Sequence, residues 1–299
     1  MKGDKMNSMI SKIAIVAVIV LFGFGAPLSA EYVPIFDYNF PASGSDLSLG
    51  AVTDLSPAGN DGFTTGFFDT GLSPNVPDGM TGNSVDFGTN NAGKRITLNQ
   101  ELVMSSQAVA DNGGYVFDAW FYCTSSDFSK ARTIITYSGQ ENLRLERYTG
   151  QIGFNIGGNT VPGSIIKTSG GVEINKWYHA VGIFDTLGNE AEDDPDSPGT
   201  KRVYGEISLY VDAGSGLELI GTASDLMTVK RGKSDDYNNA TPLMGIGLSP
   251  YSDTVAPFNG LIYNPKVSFL GSEVPEPGTF ALLAAGLFGL AAYAWKKRK

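Results

Sequence analysis

Short runs of β-branched and aromatic residues, separated by clusters of Gly, Asn, Asp, Ser and Thr, restrict the fold of this chain more than any other feature. The 299 residues include 38 glycines, and such clusters are typical of tight turns between strands. Between its two apolar ends the chain shows no internal repeat and no heptads. The sequence therefore predicts an all-β, antiparallel fold. The expected strands are residues 32–40, 95–98, 115–123, 133–137, 143–148, 151–156, 177–184, 203–211, 218–222 and 259–269.

Two of these strands have a well-defined connection. Apolar residues alternate along Leu143 and Leu145, and again along Ile152 and Phe154, with Thr149-Gly150 between the two runs. This pattern predicts a hairpin with a tight turn. Because no long Pro-rich linker divides the chain, we expect one domain over residues 31–270.

The charge of the body excludes one class of partner. Residues 31–274 contain 14 Lys and Arg against 29 Asp and Glu, a net charge of −15. A body this acidic repels nucleic acid and anionic membrane surfaces, and attracts divalent cations or basic partners. We therefore expect no nucleic-acid binding.

The N-terminus has the pattern of a signal peptide. A basic region ends at Lys12, an apolar run covers residues 13–24, and a helix-breaking Gly and Pro precede Ala30. We expect residues 1–30 to be the signal peptide, cleaved after Ala30. An uncleaved anchor is the alternative, because Leu28 fits the third position before the cleavage site poorly.

The C-terminus has the pattern of a membrane span. Residues 278–295 form an uncharged run of 18 residues, about 27 Å as a helix against a hydrocarbon core of about 30 Å. The basic residues 296–299 favour the cytoplasmic side, which places the body outside the cytoplasm. We expect an inner-membrane-anchored precursor.

A tetrapeptide before this span makes the prediction more specific. Val274, Pro275, Glu276 and Pro277 continue neither a strand nor a helix, and favour an extended, accessible backbone. Together with the span and the basic tail, residues 271–299 resemble the PEP-CTERM sorting signal of Gram-negative bacteria. The resemblance implies recognition by a membrane-embedded exosortase, removal of the span, and export to the cell surface or into exopolysaccharide.

Three stretches of the body carry a second resemblance. They are DAWFY at 118–122, NKWYHAVGIFD at 175–185 with ISLYVD at 207–212, and PFNGLIYNPKVSF at 257–269. In this order they resemble the concanavalin A-like, laminin-G-type jelly roll, and VTDLSPAGNDGF at 52–63 is similar to an early turn of such domains. The resemblance implies two packed antiparallel sheets, a concave face, and loops gathered at one rim.

Two departures from that pattern affect the expected sites. Asp212 is followed by Ala213 before Gly214, so the usual Asp-Gly turn carries an extra residue. Tyr263 and Asn264 stand where such domains often have an acidic residue, which weakens any metal site that would use it.

Four polar residues are candidate ligands for Ca²⁺. Asp37 lies in the first predicted strand, and Asp54, Asn60 and Asp61 lie in one loop. Calcium binds six to eight oxygens from such mixtures of carboxylates, amides and carbonyls. The alternative is an Asx-rich turn in which these side chains bond their own backbone.

Other reactive residues favour structural roles. His179, the only histidine, excludes a His-rich zinc site, and its alternation with Trp177 and Val181 indicates a packed or hydrogen-bonded residue. Cys123 ends a strand and is expected to be a small buried hydrophobe. The acidic run at 190–196 is expected to be a solvated surface insertion, with a cation-binding lip as the alternative.

No strand offers the carboxylate pair that glucanases of this broad fold use. Glu141 and Glu146 are an odd interval apart and point to opposite faces of a regular strand. We therefore expect no enzyme, although carboxylates from separate strands can still converge.

Sugar binding needs aromatic side chains flanked by polar groups, because a pyranose has apolar C–H faces and hydroxyl edges. Four tyrosines in or beside predicted loops are candidates, with packing at loop bases as the alternative. The sequence thus favours a non-catalytic binding or adhesion module for exopolysaccharide or another surface glycan. A glycan-cleaving enzyme of the same fold and a structural matrix protein are the alternatives. The candidate tyrosines are Tyr148, Tyr204, Tyr237 and Tyr251.

Overall fold

Strands make up most of the structure. The computed structural model describes residues 32–40, 46–69, 71–88, 93–98, 104–137, 141–156, 164–193, 201–227, 244–248 and 257–271, which belong to one compact unit beginning at Tyr32. One α-helix, α1 (Ser106–Asp111), interrupts the described strands. The strands are β1 (Val33–Asp37), β2 (Ala51–Val52), β3 (Gly62–Thr65), β4 (Leu72–Ser73), β5 (Ser84–Gly88), β6 (Arg95–Leu98), β7 (Gly114–Cys123), β8 (Arg132–Tyr137), β9 (Glu141–Leu145), β10 (Gln151–Asn155), β11 (Ile165–Gly171), β12 (Trp177–Asp185), β13 (Glu192–Asp193), β14 (Lys201–Arg202), β15 (Tyr204–Asp212), β16 (Glu218–Met227), β17 (Met244–Ile246) and β18 (Gly260–Phe269).

These strands form two large antiparallel sheets. Sheet I has the order β16-β15-β12-β7-β18-β5-β4, with β1 also paired to β18, and sheet II has the order β11-β10-β9-β8-β17-β6-β3-β2. Strands β13 and β14 pair separately. The domain is therefore an antiparallel β-sandwich of the jelly-roll type, as the sequence predicts.

The hydrophobic core lies between the two sheets. Phe117 of β7 in sheet I meets Phe154 of β10 in sheet II edge-on, with 5.8 Å between the ring centroids. Gly182 of β12 leaves the space that the Phe154 ring occupies, since a Cβ there would overlap the ring. Alternating inward residues from both sheets thus form one core.

The predicted hairpin at 143–156 is confirmed, with β9 ending earlier than expected. Leu145 pairs with Ile152, and the turn places Tyr148 at φ 67° and Gly150 at φ 64°. Left-handed backbone cannot continue a strand, so β9 ends at Leu145 instead of residue 148.

Several elements escaped the sequence reasoning. Strands β2 to β5 and β17 are short, and three of them contain glycines that the sequence presents as turn residues. Helix α1 is equally short and begins where Ser105 Oγ accepts the N–H of Ala108. Such segments are ordered by their sheet partners and by capping, which local pattern does not reveal.

Candidate functional site

The outward side of sheet I carries large aromatic rings where a solvent-facing sheet surface usually carries polar residues. Along β7, Phe117 and Phe121 are buried in the core, while Trp120 and Tyr122 alternate with them and are half-buried on the other side. The period of two along a strand produces this alternation. Both sides of β7 are therefore aromatic, and only one of them is needed for the core.

Strand β12 places two more rings beside them. His179 pairs with Trp120 and Trp177 pairs with Tyr122 in the antiparallel register. The Trp120 and His179 rings are parallel within 3°, with centroids 4.6 Å apart, and the Tyr122 and Trp177 centroids are 5.3 Å apart. We call the surface formed by these four residues the aromatic face.

A carboxylate fixes the histidine of this face. His179 Nε2 lies 2.7 Å from Asp118 Oδ1, the side chains being 15% and 35% exposed. An ionised carboxylate only accepts hydrogen bonds, so Nε2 carries the proton that is donated. His179 is thus a packed, hydrogen-bonded residue, as the sequence predicts.

Acidic side chains and one lysine border the aromatic face. Lys266 of β18 pairs in register with Asp118, and its Nζ lies 3.2 Å from Asp37 Oδ2 in β1. On the other side, Asp212 of β15 pairs in register with His179. This row thus contains three carboxylates and one lysine, and Lys266 and His179 each contact one of the carboxylates.

The carboxylate of Asp212 also organises the next turn. It accepts the N–H groups of Gly214 and Gly216, at 2.6 and 2.9 Å. The N–H of Gly214, together with those of Gly216 and Ser215 and the nearby His179, holds the pKa of Asp212 below the usual range. The extra residue seen in the sequence, Ala213, thus lies in a turn that Asp212 caps.

The connection between β4 and β5, residues 74–83, borders one end of the aromatic face. Trp177 Nε1 donates to Asn75 Oδ1 at 3.2 Å. Tyr263 of β18, the register partner of Trp120, donates its hydroxyl to the Thr81 carbonyl at 3.0 Å. The face is therefore bordered along one edge by polar groups of this connection.

The candidate tyrosines from the sequence do not come together in the described structure. Tyr148 is exposed in the β9–β10 turn, which contacts the segment after β11 through the Val172 N–H and Gly150 carbonyl. Tyr204 begins β15 at the opposite end of the sandwich, where its carbonyl accepts from Asn189. Their rings stack with Arg147 and Arg202, respectively. Tyr237 and Tyr251 lie outside the described residues.

The candidate calcium loop is a dense hydrogen-bond network. Asp54 Oδ1 accepts the N–H groups of Asp37 and Ser56, and Oδ2 accepts the Ser56 hydroxyl and the Asn60 N–H, all within 2.9 Å. Asp61 Oδ1 accepts the Asp54 N–H at 2.9 Å. These carboxylates accept hydrogen bonds mainly from backbone N–H groups, which is the arrangement of the Asx-rich turn.

Other contacts of this loop agree with that arrangement. Asn60 Nδ2 donates to the Ile35 carbonyl, and Tyr38 donates its hydroxyl to the Asn60 carbonyl. Burial raises the pKa of Tyr38, and the Asp54 and Asp61 carboxylates raise it further. Asp37 Oδ1 is buried without a hydrogen-bond partner, so one oxygen there has spare acceptor capacity.

The calcium prediction depends on which oxygens of this loop are available to an ion. Across the described segments, no group of three or more His, Cys, Asp or Glu side chains is arranged to hold a metal ion. Both oxygens of Asp54 and one oxygen of Asp61 already accept hydrogen bonds, whereas Asp37 Oδ1 is buried without a partner. Because calcium binds six to eight oxygens, a site here would also need backbone carbonyls or water.

The remaining residues singled out in the sequence have structural contacts. Cys123 is buried, its thiol donates to the Ser125 carbonyl, and burial raises its pKa. Glu192 of the acidic run lies 2.8 Å from Arg202 Nε in a β13–β14 pair, while residues 194–196 lie outside the described residues. Glu141 is buried, and Glu146 pairs with Arg144 at 2.6 Å.

Sequence reasoning missed the aromatic face, although a signal was present. In DAWFYC two of the three outward residues, Trp120 and Tyr122, are aromatic, and so is the inward Phe121. In WYH the outward Trp177 and His179 flank the inward Tyr178. When both the inward and the outward residues of a strand are aromatic, one side of the strand packs in the core. The other side binds a ligand or is covered by another part of the protein.

The last segment of the chain matches a known family. Residues 273–299 match the model described as PEP-CTERM protein-sorting motif. The C-terminal segment is a PEP-CTERM sorting motif. A PEP-CTERM motif implies an exported protein that is sorted and processed by exosortase at the membrane. Val274, Pro275, Glu276 and Pro277 belong to this motif and lie outside the described residues.

The PEP-CTERM match covers the C-terminus only, and the body has remote structural likenesses. Domain 4 of AbnA, an extracellular GH43 arabinanase from Geobacillus stearothermophilus in complex with arabinotriose, is 15% identical, with TM-score 0.49 over 80% of this chain and 93% of that chain. The PL-14 alginate lyase from Aplysia kurodai is 13% identical, with TM-score 0.43 over 78% and 98% of the two chains. Botulinum neurotoxin type C is 12% identical, with TM-score 0.45 over 80% and 48%.

Likenesses at these scores carry no argument about function. No curated protein sequence matches the chain. Within the described part of the chain, no helix has both the length and the apolar character needed to cross a bilayer. The signal peptide expected at 1–30 and the span expected at 278–295 lie outside the described residues.

Proposed function

We propose that the mature body is a non-catalytic, extracytoplasmic binding or adhesion module of laminin-G type. Its ligand is exopolysaccharide or another surface glycan. Exosortase processing delivers the protein to the cell surface or matrix of a Gram-negative bacterium. The observation that carries this proposal is the aromatic face, two pairs of contacting rings on the outside of sheet I. Exosortase and the glycan are its partners, and the inner membrane holds the precursor before processing.

The chemistry of the face suits a sugar. The C–H surface of a pyranose packs on aromatic rings, and its hydroxyls need nearby donors and acceptors. Trp177 and Tyr122 supply ring surface, and Asn75, Asp118 and Lys266 supply polar atoms around it. Large apolar area on an outer sheet surface is a common sign of a binding site.

The rings are ordered before a ligand arrives. Trp120 is held against His179, and His179 is held by Asp118. Side chains that are already fixed lose little conformational entropy on binding. We therefore infer that the glycan binds to a rigid, shallow surface. Affinity then comes from contacts with several sugar units along one glycan chain.

The outward carboxylates support a non-catalytic role. Glycosidases need two carboxyl groups about 5 to 9 Å apart, one of them an acid with a raised pKa. Asp118 bonds His179, and the pKa of Asp212 is lowered by backbone N–H groups, which disfavours it as the acid. Cleavage of a glycan by this chain would favour the enzyme alternative instead.

A glycan array tests the proposal. We expect the full-length chain, kept in a polyoxyethylene detergent that carries no sugar, to bind a subset of polysaccharides without cleaving them. Trp177→Ala should weaken that binding at least tenfold, by removal of ring surface worth about 1.4 kcal/mol or more. Parallel arrays with CaCl₂ and with EDTA test whether calcium contributes.

Phe68→Ala is the matched control, because Phe68 is an aromatic residue that is 94% exposed outside the aromatic face. Equal binding by the wild type and both variants would contradict the role of the face. Failure of the wild type to bind any glycan, while it stays in the matrix, would favour the structural alternative.

A further inference from the structure

A concavity lies where the edges of the two sheets approach each other. A cleft of about 550 Å³ opens where β11, the edge strand of sheet II, approaches β16, the edge strand of sheet I. Ligand pockets commonly enclose about 300 to 1,000 Å³, so the cleft has the size for one or two sugar units. It is separate from the aromatic face, which lies on the outside of sheet I.

The cleft has an apolar interior. Its floor is formed by the buried side chains of Ile152, Tyr178 and Val211. One wall carries Leu219 and Ile220 of β16, which are 52% and 37% exposed. Exposed apolar side chains next to a buried apolar floor provide area that a ligand can cover.

The rim of the cleft is polar, and its charges balance. Lys176 Nζ lies 3.2 Å from Glu173 Oε1, and Ser215 Oγ lies 3.1 Å from Glu218 Oε1. Lys167 is the other charged residue of the lining. Two lysines and two glutamates thus produce no net charge around the opening.

The cleft is connected to the aromatic face through one strand and one turn. Tyr178, on the cleft floor, lies between Trp177 and His179 of the face along β12. The turn that Asp212 caps contributes Ala213 and Ser215 to the cleft lining. The two sites therefore lie at the same end of β12 but on opposite sides of sheet I, and a polymer reaches both only by passing around that end.

We propose that this cleft is a second glycan-binding site, which takes an uncharged saccharide segment. The proposal rests on the proposed function for the class of ligand, and adds a separate site and a charge selectivity. A segment without charge fits a rim whose cations and carboxylates cancel. A polyuronate meets no excess of cations there and is repelled by a body with 29 acidic and 14 basic residues between 31 and 274.

The two sites act together on a long chain. When one polymer occupies both, the second contact forms at a high local concentration, so long chains bind more tightly than short ones. Because no ion pair with the ligand is formed, this affinity does not depend on salt.

Calorimetric titration of the full-length chain, in the same sugar-free detergent, tests the inference. The probes are short neutral β-glucan oligosaccharides and oligogalacturonate of equal length. We expect two neutral oligosaccharides per chain, with affinities that change less than twofold between low and high NaCl. Leu219→Asp should remove one of the two sites, and Trp177→Ala should remove the other.

Leu49→Asp is the control, since Leu49 is an equally apolar residue, 79% exposed, that does not line the cleft. The second site would be overturned if only one oligosaccharide binds per chain, and if Trp177→Ala abolishes this binding while Leu219→Asp leaves it intact. The proposed function would still stand in that case. Binding at the cleft that is confined to oligogalacturonate and lost in salt would overturn the charge selectivity. Absence of all oligosaccharide binding would overturn the second site, whereas the glycan array tests the proposed function separately.

Discussion

The imidazole of His179 lies parallel to the indole of Trp120, with 4.6 Å between the ring centroids, and Asp118 holds it there. We expect Asp118→Asn to lower the free energy of unfolding by about 1 kcal/mol, because a neutral acceptor replaces a charged one. Asp118→Ala should cost more and shift the tryptophan emission to the red, since the His179 ring loses its partner. Urea denaturation and fluorescence measure both effects.

The matched control for this pair is Glu190→Gln, a charge-removing change at an exposed loop position. It should leave stability and emission unchanged. An Asp118→Ala variant with wild-type emission would show that the carboxylate does not position the ring.

Gly182 tests the packing of the sandwich core. A Cβ at this position would overlap the ring of Phe154, so Gly182→Ala should lower stability by about 1 to 3 kcal/mol. Gly170→Ala is the control, because its Cβ meets no atom within 4 Å. Equal denaturation midpoints for the two variants would contradict the facing of β12 and β10.

The Asp54 network distinguishes the two interpretations of the early loop. Asp54→Asn replaces one acceptor oxygen by a donor that faces other donors, and should lower stability by about 2 kcal/mol. If the carboxylate only accepts hydrogen bonds from the loop, Asp54→Asn lowers stability by the same amount in EDTA and in CaCl₂. A wild-type chain that CaCl₂ stabilises, paired with a variant that it does not, would favour the calcium site.

The thiol of Cys123 predicts an alkaline dependence of stability. Burial raises its pKa in the folded state, so the unfolded chain loses this proton first. The contribution of the thiol to the free energy of unfolding is fully present below the unfolded pKa of about 8.5. It is lost as the pH rises towards the folded pKa.

The Cys123→Ala variant isolates this effect. It should show a smaller fall in its urea midpoint between about pH 7.5 and 9.5, and the wild-type thiol should react slowly with a disulfide reagent until urea is added. Tyr38, whose pKa is also raised by burial, remains in both chains and provides the common background. Identical pH slopes would contradict burial of the thiol.

The sorting motif makes a prediction about location. Replacement of Pro275 and Pro277 by Ala should leave the protein in the membrane fraction, because the extended segment that exosortase recognises is lost. Immunoblots of membrane and medium fractions measure this. Unchanged release into the medium would contradict exosortase-dependent sorting.

The class of the fold and the signal at the C-terminus follow from the amino-acid sequence alone. Alternation along β7 and β12 and the turn at Gly150 depend on neighbouring residues, so they can be recognised locally. The Val-Pro-Glu-Pro segment, the apolar run and the basic tail are likewise contiguous. This is why the sandwich and the sorting motif were predicted correctly.

Which side chains contact one another depends on how distant strands pair, and this is visible only in the folded domain. Asp118 and His179 are 61 residues apart, and their contact depends on the register of β7 against β12, which alternation does not specify. The same cause separates Tyr148 and Tyr204: their adjacent loops look equivalent in sequence, yet antiparallel strand directions place them at opposite ends. Local pattern determines which face a residue occupies, whereas pairing between distant strands determines its neighbours.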